Sequence, residues 1–261
     1  MLLALNIGNT NITFGGYDPD GKRVFSSKLY SDSALSSDEL VYKIVNMLAH
    51  YGASPLDVDG VILASVVPAL TARMREALQK MTTAPLMEVG PGLKSGVRIR
   101  MDNPAQLGGE LLCAAVAALR CHEPPLLVMN MDTATTIVAV DAAGSIVGGM
   151  ILPGPQLSLA ALVRNTAQLP QVDPDTAPRR LLGTNTADCL HSGIVFGTAA
   201  MLDGLAARVE EELGQPLTVV ATGGLAPYIP PCCKRDILYD GDLLFKGLAY
   251  LFEINHGALG L

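Results

Sequence analysis

Two short polar segments follow apolar runs and contain residue types that bind phosphate. The first is Gly8-Asn9-Thr10-Asn11, after Leu2 to Ile7, and the second is Asp132-Thr133-Ala134-Thr135-Thr136, after Leu126 to Asn130. Small residues let backbone N–H groups approach a phosphate, and hydroxyl and amide side chains add further donors. A third segment, Ala221-Thr222-Gly223-Gly224, also ends an apolar run, and its glycines leave room for the adenine of a nucleotide. Each segment alone is more typical of a plain turn, but together they predict a nucleotide site.

The elements that would position these segments occur twice in the chain. Three predicted strands, each separated from the next by a turn, open the chain at Leu2 to Ile7, Ile12 to Tyr17 and about Arg23 to Leu29. After Pro124-Pro125 the order recurs as Leu126 to Asn130, a polar turn from Met131 to Thr135, Thr136 to Asp141, and Ser145 to Met150. Aligning Asn6 with Asn130 gives an offset of 130 − 6 = 124 residues. We interpret this as two similar halves, 1–120 and 121–261; chance similarity of two hairpins is the alternative.

Each half continues with helices and one strand buried on both faces. The pattern predicts buried strands at Val61 to Val67 and Leu217 to Thr222. Ser36 and Glu39 are spaced as a capping box that starts a helix over 36–51. Further helices are predicted at 68–81, 104–120, 156–164, 185–213 and 242–255.

The composition excludes several classes of protein. The 261 residues include 18 Lys and Arg against 25 Asp and Glu, a net charge of −7, and aromatic residues make up 5%, which disfavours a nucleic-acid partner. The longest apolar stretch, Leu111 to Leu119, is far shorter than the roughly 20 residues of a membrane span. With no basic, apolar leader at the N-terminus, we expect a cytoplasmic protein without a membrane partner. The five cysteines contain no C-x-x-C pair, so we expect buried or reduced thiols.

Common catalytic motifs are not present in the sequence. Gly16 to Lys22 matches a P-loop up to its Lys, but Arg23 stands where Ser or Thr is needed, and the segment lies on a predicted hairpin. No G-x-S-x-G, H-E-x-x-H or G-x-G-x-x-G occurs, and the four histidines lack metal-ligand spacing. Hydrolase, zinc-enzyme and Rossmann interpretations are therefore disfavoured.

A set of motifs extends over essentially the whole chain: Ile7-Gly-Asn-Thr-Asn11, Ala64-Ser-Val-Val-Pro68, Asp102-Asn-Pro104, Gly108, Thr133-Ala-Thr-Thr136, Gly148-Gly-Met-Ile-Leu-Pro-Gly154, Arg164-Asn-Thr-Ala-Gln-Leu-Pro170 and Ala221-Thr-Gly-Gly-Leu-Ala-Pro227. In these motifs the chain resembles the type III pantothenate kinases of the acetate kinase, sugar kinase, Hsp70 and actin superfamily. The resemblance implies an α/β fold with duplicated actin-like (ribonuclease H-like) halves and a nucleotide cleft between them. It also implies ATP-dependent phosphorylation of pantothenate, the first step of coenzyme A biosynthesis. The implied partners are ATP, Mg²⁺, a monovalent cation (K⁺ or NH₄⁺) and a second copy in a homodimer.

The same resemblance implies roles for individual residues. Glu110 is the general base. The residues implied to bind ATP are Asn6, Ile7, Gly8, Asn9, Thr10, Asn11, Ile12, Thr13, Thr133, Gly223 and Gly224. Those implied to bind pantothenate are Met101, Gly108, Gly109, Leu111 and Thr186. Asn130 stands at the position of the monovalent cation; Thr186 is also placed to cap a helix.

Four segments depart from the family pattern. Asn6 replaces an Asp, and Asn130-Met131-Asp132-Thr133 replaces Asp-x-Gly-Thr. Gly108-Gly-Glu-Leu111 replaces Gly-Ala-Asp-Arg, and an aromatic residue near Met101 is missing. The two Asn residues remove two negative charges that help hold Mg²⁺-bound water and the cation. Glu110 makes the side chain of the general base longer than that of an Asp. Leu111 removes a guanidinium, which Arg98, Arg100 or Arg164 would have to replace. Three hypotheses stay open: a pantothenate kinase, a catalytically impaired paralogue with a binding or regulatory role, and a kinase for another small hydroxylated acid.

Overall fold

Ten β-strands and six α-helices alternate in the computed structural model, which describes residues 1–176, 178 and 180–256. The strands are β1 Leu2–Ile7, β2 Asn11–Tyr17, β3 Arg23–Tyr30, β4 Gly60–Ser65, β5 Leu86–Glu88, β6 Leu126–Met131, β7 Ala134–Val140, β8 Ile146–Pro153, β9 Thr218–Thr222 and β10 Leu238–Tyr239. The helices are α1 Ser37–His50, α2 Pro68–Met81, α3 Gly109–Cys121, α4 Pro155–Arg164, α5 Thr186–Leu213 and α6 Leu243–His256.

The strands form two five-stranded sheets with the same topology. The first has the order β3-β2-β1-β4-β5 and the second the order β10-β9-β6-β7-β8, which is the same arrangement read from the other edge. In both sheets the first three strands pair antiparallel and the last two add in parallel. The α/β fold with duplicated halves is therefore confirmed.

The duplication extends to register. Asn6 pairs with Thr13 and Ala64 in the first sheet, and Asn130 pairs with Thr136 and Thr222 in the second. A register shift falls at Gly16/Tyr17 in β2 and again at Ala139/Val140 in β7, 123 residues later (139 − 16). Chance similarity of two hairpins does not produce the same irregularity at the same place in both sheets.

The chain divides into two compact units. Within the described residues, unit 1 contains Met1–Gly96, Ala105–Cys113 and residues 245–256, and unit 2 contains Val97–Pro104 and Ala114–Leu244. The division at 1–120 and 121–261 and the nucleotide cleft between halves stay predictions.

Each unit has its own apolar core. In unit 1, Leu3, Leu5 and Ile7 of β1 pack with Ile44 of α1 and Met74 of α2, all five fully buried. In unit 2, four buried residues of α5 spaced by four, three and four positions pack against the second sheet. These four residues are Val195, Ala199, Leu202 and Ala206. That spacing is the apolar stripe of a helix lying on a sheet.

Local sequence signals explain where the helices begin and end. The predicted capping box starts α1, since the Ser36 side chain accepts from the backbone of Glu39 and the Glu39 side chain accepts from the backbone of Ser36. Pro68 occupies the first turn of α2, where its missing N–H costs nothing. α5 starts after Asn185, whose side chain accepts from Asp188 N at 2.9 Å, and ends at Gly214 with φ of 71°.

The structure corrects three predicted elements. The turn predicted over Met131 to Thr135 contains only Asp132 and Thr133, because β6 extends through Met131 and β7 begins at Ala134. The helix predicted over 104–120 is a 3₁₀ turn at Pro104–Gln106 followed by α3. The short strands β5 and β10 were not predicted, since two or three residues carry no periodicity.

By length and composition α5 is the one helix within the described residues that could cross a membrane. This is weak evidence, because core helices pass the same test, and its buried stripe lies in the unit 2 core. This helix was not recognised from the sequence, because the longest uninterrupted apolar stretch was considered there and not the mean hydropathy of a whole helix.

All five cysteines lie in the described part of the chain as free thiols, of which Cys113 is buried and Cys121 and Cys189 are exposed. Burial raises the pKa of the Cys113 thiol well above its usual range, with the charge of Glu110 adding to the effect. Burial, with the nearby Asp203 carboxylate, raises the pKa of Cys233 to about 12. Neither thiol is a reactive nucleophile.

Candidate active site

The end of β1 and the start of α3 bring together the first predicted residues in unit 1. Asn6 is 9% exposed, and its side-chain Nδ2 donates to Glu110 Oε1 at 2.8 Å. A Cβ at Gly8 would lie 3.7 Å from the same oxygen, so the carboxylate also lies beside the first turn. Glu110 lies in the first turn of α3, where the helix dipole favours a negative charge. A half-buried carboxylate in this position can accept a proton from a hydroxyl group.

The first turn is closed by hydrogen bonds of its own. Gly8 N donates to Asn11 O at 2.9 Å, which uses the N–H that we expected to face a phosphate. Ser31, just after β3, donates from Oγ to Gly8 O at 2.7 Å and from N to Thr10 O at 2.9 Å. Ser31 is not among the residues predicted from the sequence, because nothing in its spacing links it to this turn. Asn9 and Thr10 are exposed at the tip and are the turn residues most accessible to a ligand.

The other predicted ATP-binding residues of this segment differ in what they expose. Ile7 and Ile12 are fully buried in the unit 1 core, so only their backbone could face a nucleotide. Thr13 lies opposite Asn6 in the β1–β2 ladder and is partly exposed.

In unit 2, the turn between β6 and β7 contains a carboxylate. Asp132 is exposed, and its Oδ1 accepts from Thr133 N at 3.0 Å. Gly154 N donates to Thr133 O at 3.1 Å, and a Cβ at Gly154 would lie 2.2 Å from Asp132 O. Only glycine fits at 154, so the segment after β8 holds this turn in place. Gly154 belonged to a recognised motif, but sequence analysis gave it no role.

The glycine pair after β9 packs against Asn130, which occupies in the second sheet the position that Asn6 has in the first. Asn130 is 7% exposed, and a Cβ at Gly223 would lie 2.7 Å from its Oδ1 and 2.4 Å from Met131 O. Gly223 also has a φ of +99°, which disfavours any side chain. Gly224 is exposed, and a Cβ there would meet nothing within 4 Å. Gly223 therefore has no room for a side chain, and Gly224 is the more open of the pair.

Three of the predicted pantothenate-binding residues surround Glu110 in sequence. Gly108 O accepts the first hydrogen bond of α3, from Leu112 N at 3.0 Å. A Cβ at Gly109 would lie 3.3 Å from Val89, so the start of α3 packs tightly on the segment after β5. Leu111 is partly exposed.

The remaining two predicted acceptor residues lie in unit 2, whereas Glu110 lies in unit 1. Met101 is partly exposed in the segment 97–104 of unit 2. Thr186 is the first residue of α5 and is exposed. The cap of α5 is Asn185, so the alternative role of Thr186 as a helix cap is wrong.

Two of the arginines considered as replacements for the missing guanidinium have defined surroundings. Arg100 Nη1 lies 3.0 Å from Asp141 Oδ2, so its charge is paired at the β7–β8 turn. Arg164 lines a cavity of about 760 Å³ together with Gln156 of α4 and Gln171.

A comparison with protein-family models identifies the chain. The model of the type III pantothenate kinases matches residues 2–208. The chain belongs to this family.

Curated type III pantothenate kinases match almost the full chain. The relative from Rubrobacter xylanophilus is 39% identical over 261 residues, which covers 98% of this chain and 98% of that protein. The relative from Myxococcus xanthus is 35% identical over 259 residues, which covers 99% and 100%.

Solved structures support the fold of this pantothenate kinase family member. The activator of 2-hydroxyisocaproyl-CoA dehydratase from Clostridium difficile, solved with bound ADPNP, has a TM-score of 0.59 at 12% identity and covers 99% of this chain and 97% of that one. An inorganic polyphosphate/ATP-glucomannokinase from an Arthrobacter species has a TM-score of 0.51 at 13% identity and covers 98% and 99%. At these identities the likeness concerns the fold alone, and it agrees with duplicated actin-like halves.

The oxygen atoms at the end of β1 fit a divalent metal that arrives with a nucleotide. Asn6 Oδ1 is buried and has no hydrogen-bond partner among the described residues, and it lies on the side chain that contacts Glu110. Mg²⁺ prefers oxygen ligands and in kinases takes one or two from the protein, with phosphates and water completing the shell. The described residues contain no cluster of three or more His, Cys, Asp or Glu. Asn6 Oδ1 therefore suits a Mg²⁺ ion that arrives with ATP.

Proposed function

We propose that this chain phosphorylates pantothenate with ATP, in the first step of coenzyme A biosynthesis. The family membership carries this proposal, because the matching relatives are type III pantothenate kinases over the same length. The contact between Asn6 and Glu110 supports it, since it holds a carboxylate at the end of a buried strand.

Each predicted residue has a role in this proposal. Glu110 accepts the proton of the pantothenate hydroxyl as its oxygen attacks the terminal phosphorus of ATP, and ADP leaves. Gly108, Gly109, Leu111, Met101 and Thr186 contact the acceptor. The residues Asn6 to Thr13, Thr133, Gly223 and Gly224 hold ATP, with the two isoleucines and Gly223 acting through the backbone.

The ions complete the proposal. Mg²⁺ bound with ATP would supply neutralisation of phosphate charge, with Asn6 Oδ1 as the available protein oxygen. Asn130 takes the position of the monovalent cation, K⁺ or NH₄⁺, through one neutral amide oxygen. The proposal further includes a cytoplasmic homodimer, which sedimentation and cell fractionation test.

The test is phosphoryl transfer to labelled pantothenate by the purified chain with ATP, Mg²⁺ and K⁺. We expect phosphorylated pantothenate and a fall in kcat of about 10²–10⁴ in Glu110→Gln, which cannot take the proton. Glu123→Gln, an exposed site after α3, is the matched control and should keep full activity.

Two outcomes would replace the proposal with another hypothesis. Binding of Mg·ATP without transfer to pantothenate or to any acceptor, at high enzyme concentration, indicates an impaired paralogue. Release of ADP with a different hydroxylated acid, and none with pantothenate, indicates a kinase for that acid.

A further inference from the structure

Two of the positions at which this chain departs from its family pattern contact each other. Asn6 and Glu110 are 104 residues apart in sequence, and Asn6 Nδ2 lies 2.8 Å from Glu110 Oε1. Neither change is independent of the other, because the amide supplies a donor that the longer carboxylate reaches.

The chemistry of the pair fixes the orientation of the Asn6 amide. An ionised carboxylate only accepts hydrogen bonds, so the NH₂ group of Asn6 must face Glu110 and its Oδ1 must face away. That Oδ1 is buried and without a partner among the described residues. Leaving a buried acceptor unsatisfied is unfavourable, so the hydrogen bond from Nδ2 to Glu110, and not one made by Oδ1, sets this orientation.

The surroundings of Asn6 make it a rigid support. It is 9% exposed and lies in β1 between β2 and β4, paired with Thr13 on one side and Ala64 on the other. Glu110 is on the first turn of a helix and has a flexible side chain of three torsions. A fixed donor restricts that side chain to the geometry in which one oxygen lies beside the first turn.

We propose that Asn6 is a positioning residue that holds the Glu110 carboxylate where it takes the proton of the acceptor hydroxyl. The proposal rests on the proposed function, in which Glu110 is the base. In this proposal Asn6 and Glu110 together replace two aspartates of the family pattern, and the hydrogen bond between them keeps the base in place.

The first experiment compares kcat and KM for pantothenate in Asn6→Ala and Asn6→Asp. Asp has the shape of Asn but no donor, so it tests the hydrogen bond with little change in packing. We expect kcat to fall about 10- to 100-fold in both variants while KM for pantothenate changes less than about threefold, because the acceptor is still bound but the base is misplaced. Asn46→Asp on α1, where Asn46 donates to Tyr42 O at 2.7 Å on the surface, is the control and should keep wild-type kcat.

The second experiment repeats Asn6→Ala in a Glu110→Asp background. An Asp at 110 is shorter by one methylene, about 1.5 Å, and cannot reach Nδ2. If Asn6 acts through Glu110, the alanine costs less than about twofold in kcat there, whereas a merely structural role for Asn6 costs the same in both backgrounds.

The outcomes separate this inference from the proposed function. Wild-type kcat in Asn6→Asp, or equal losses in both backgrounds, overturns the inference and leaves the kinase function standing. A wild-type chain that leaves pantothenate unphosphorylated overturns the proposed function. Thermal unfolding of the wild type, Asn6→Ala, Glu110→Asp and the double variant then tests whether Asn6 holds the carboxylate. Midpoint losses that fall short of additivity by about 2 °C or more support a held carboxylate, and additive losses overturn it.

Discussion

Replacement of Gly223 by alanine tests the tight junction between the end of β9 and the end of β6. Three atoms lie where the new methyl group would go: Met131 O at 2.4 Å, Met131 C at 2.6 Å and Asn130 Oδ1 at 2.7 Å. All three distances are below the roughly 3.5 Å of an ordinary carbon contact, and two of the atoms are backbone, which cannot rotate away. The φ of +99° adds a conformational penalty.

The magnitude follows from these two terms. A side chain at positive φ costs about 1–2 kcal/mol, and forcing a methyl group into a packed site costs about 1–3 kcal/mol. The free energy of unfolding should therefore fall by roughly 2–5 kcal/mol. At about 2–4 °C per kcal/mol, a middle value of ~3 kcal/mol lowers the melting midpoint by roughly 10 °C.

The neighbouring glycine provides the matched control. A methyl group at Gly224 meets nothing within 4 Å, so Gly224→Ala should melt within about 2 °C of the wild type. Scanning calorimetry of the three proteins measures both effects, since it resolves the unfolding of separate units. If Gly223→Ala has the same melting midpoint as Gly224→Ala, the close approach of β9 to Asn130 is refuted.

Two further predictions concern charges in unit 2. Asp132→Gly removes an exposed carboxylate and releases Thr133 N, so KM for ATP should fall about fivefold, equivalent to ~1 kcal/mol; an unchanged or higher KM would contradict a phosphate site at this turn. Arg235 donates to both carboxylate oxygens of Glu210, at 3.1 and 2.6 Å, and lowers the pKa of Glu210 below its ordinary value of 4.5. Because a lowered pKa adds stability above the unfolded value and loses it as pH falls through the folded value, Glu210→Gln should cost about 1 kcal/mol at pH 7 and less near pH 3. Urea unfolding at both pH values checks this, and an equal cost at each would show that the ion pair does not stabilise the fold.

The repeated strands were predictable because their apolar runs and turns are local signals. β1 and α2 match the predicted bounds, and the capping box at Ser36 marks the start of α1. The predicted turn over Met131 to Thr135 was too long because it was assigned from polarity, whereas a β-branched threonine fits a strand as well as a turn. Thr135 is fully buried in β7.

The site was less predictable than the fold because its contacts join distant segments. The family pattern named Asn6 and Glu110 separately, and their changes from Asp suggested weakened chemistry. Only coordinates reveal that the two side chains are hydrogen-bonded, or that Asp132 occupies the N–H of Thr133. No periodicity or spacing encodes a contact across 104 residues.

The discontinuity of unit 1 has a consequence for the order in which the chain folds during synthesis. A Cβ at Gly60 of β4 would lie 2.2 Å from the ring of Phe252, and one at Gly15 of β2 would lie 3.0 Å from Phe245, so α6 covers both strands. Joining Gly60 to Phe252 closes 252 − 60 = 192 residues, an entropic cost of ~5 kcal/mol. The first strands to leave the ribosome thus wait for α6, the last of the described helices, while unit 2 is completed by Leu244. The N-terminal sheet is made first but finished last.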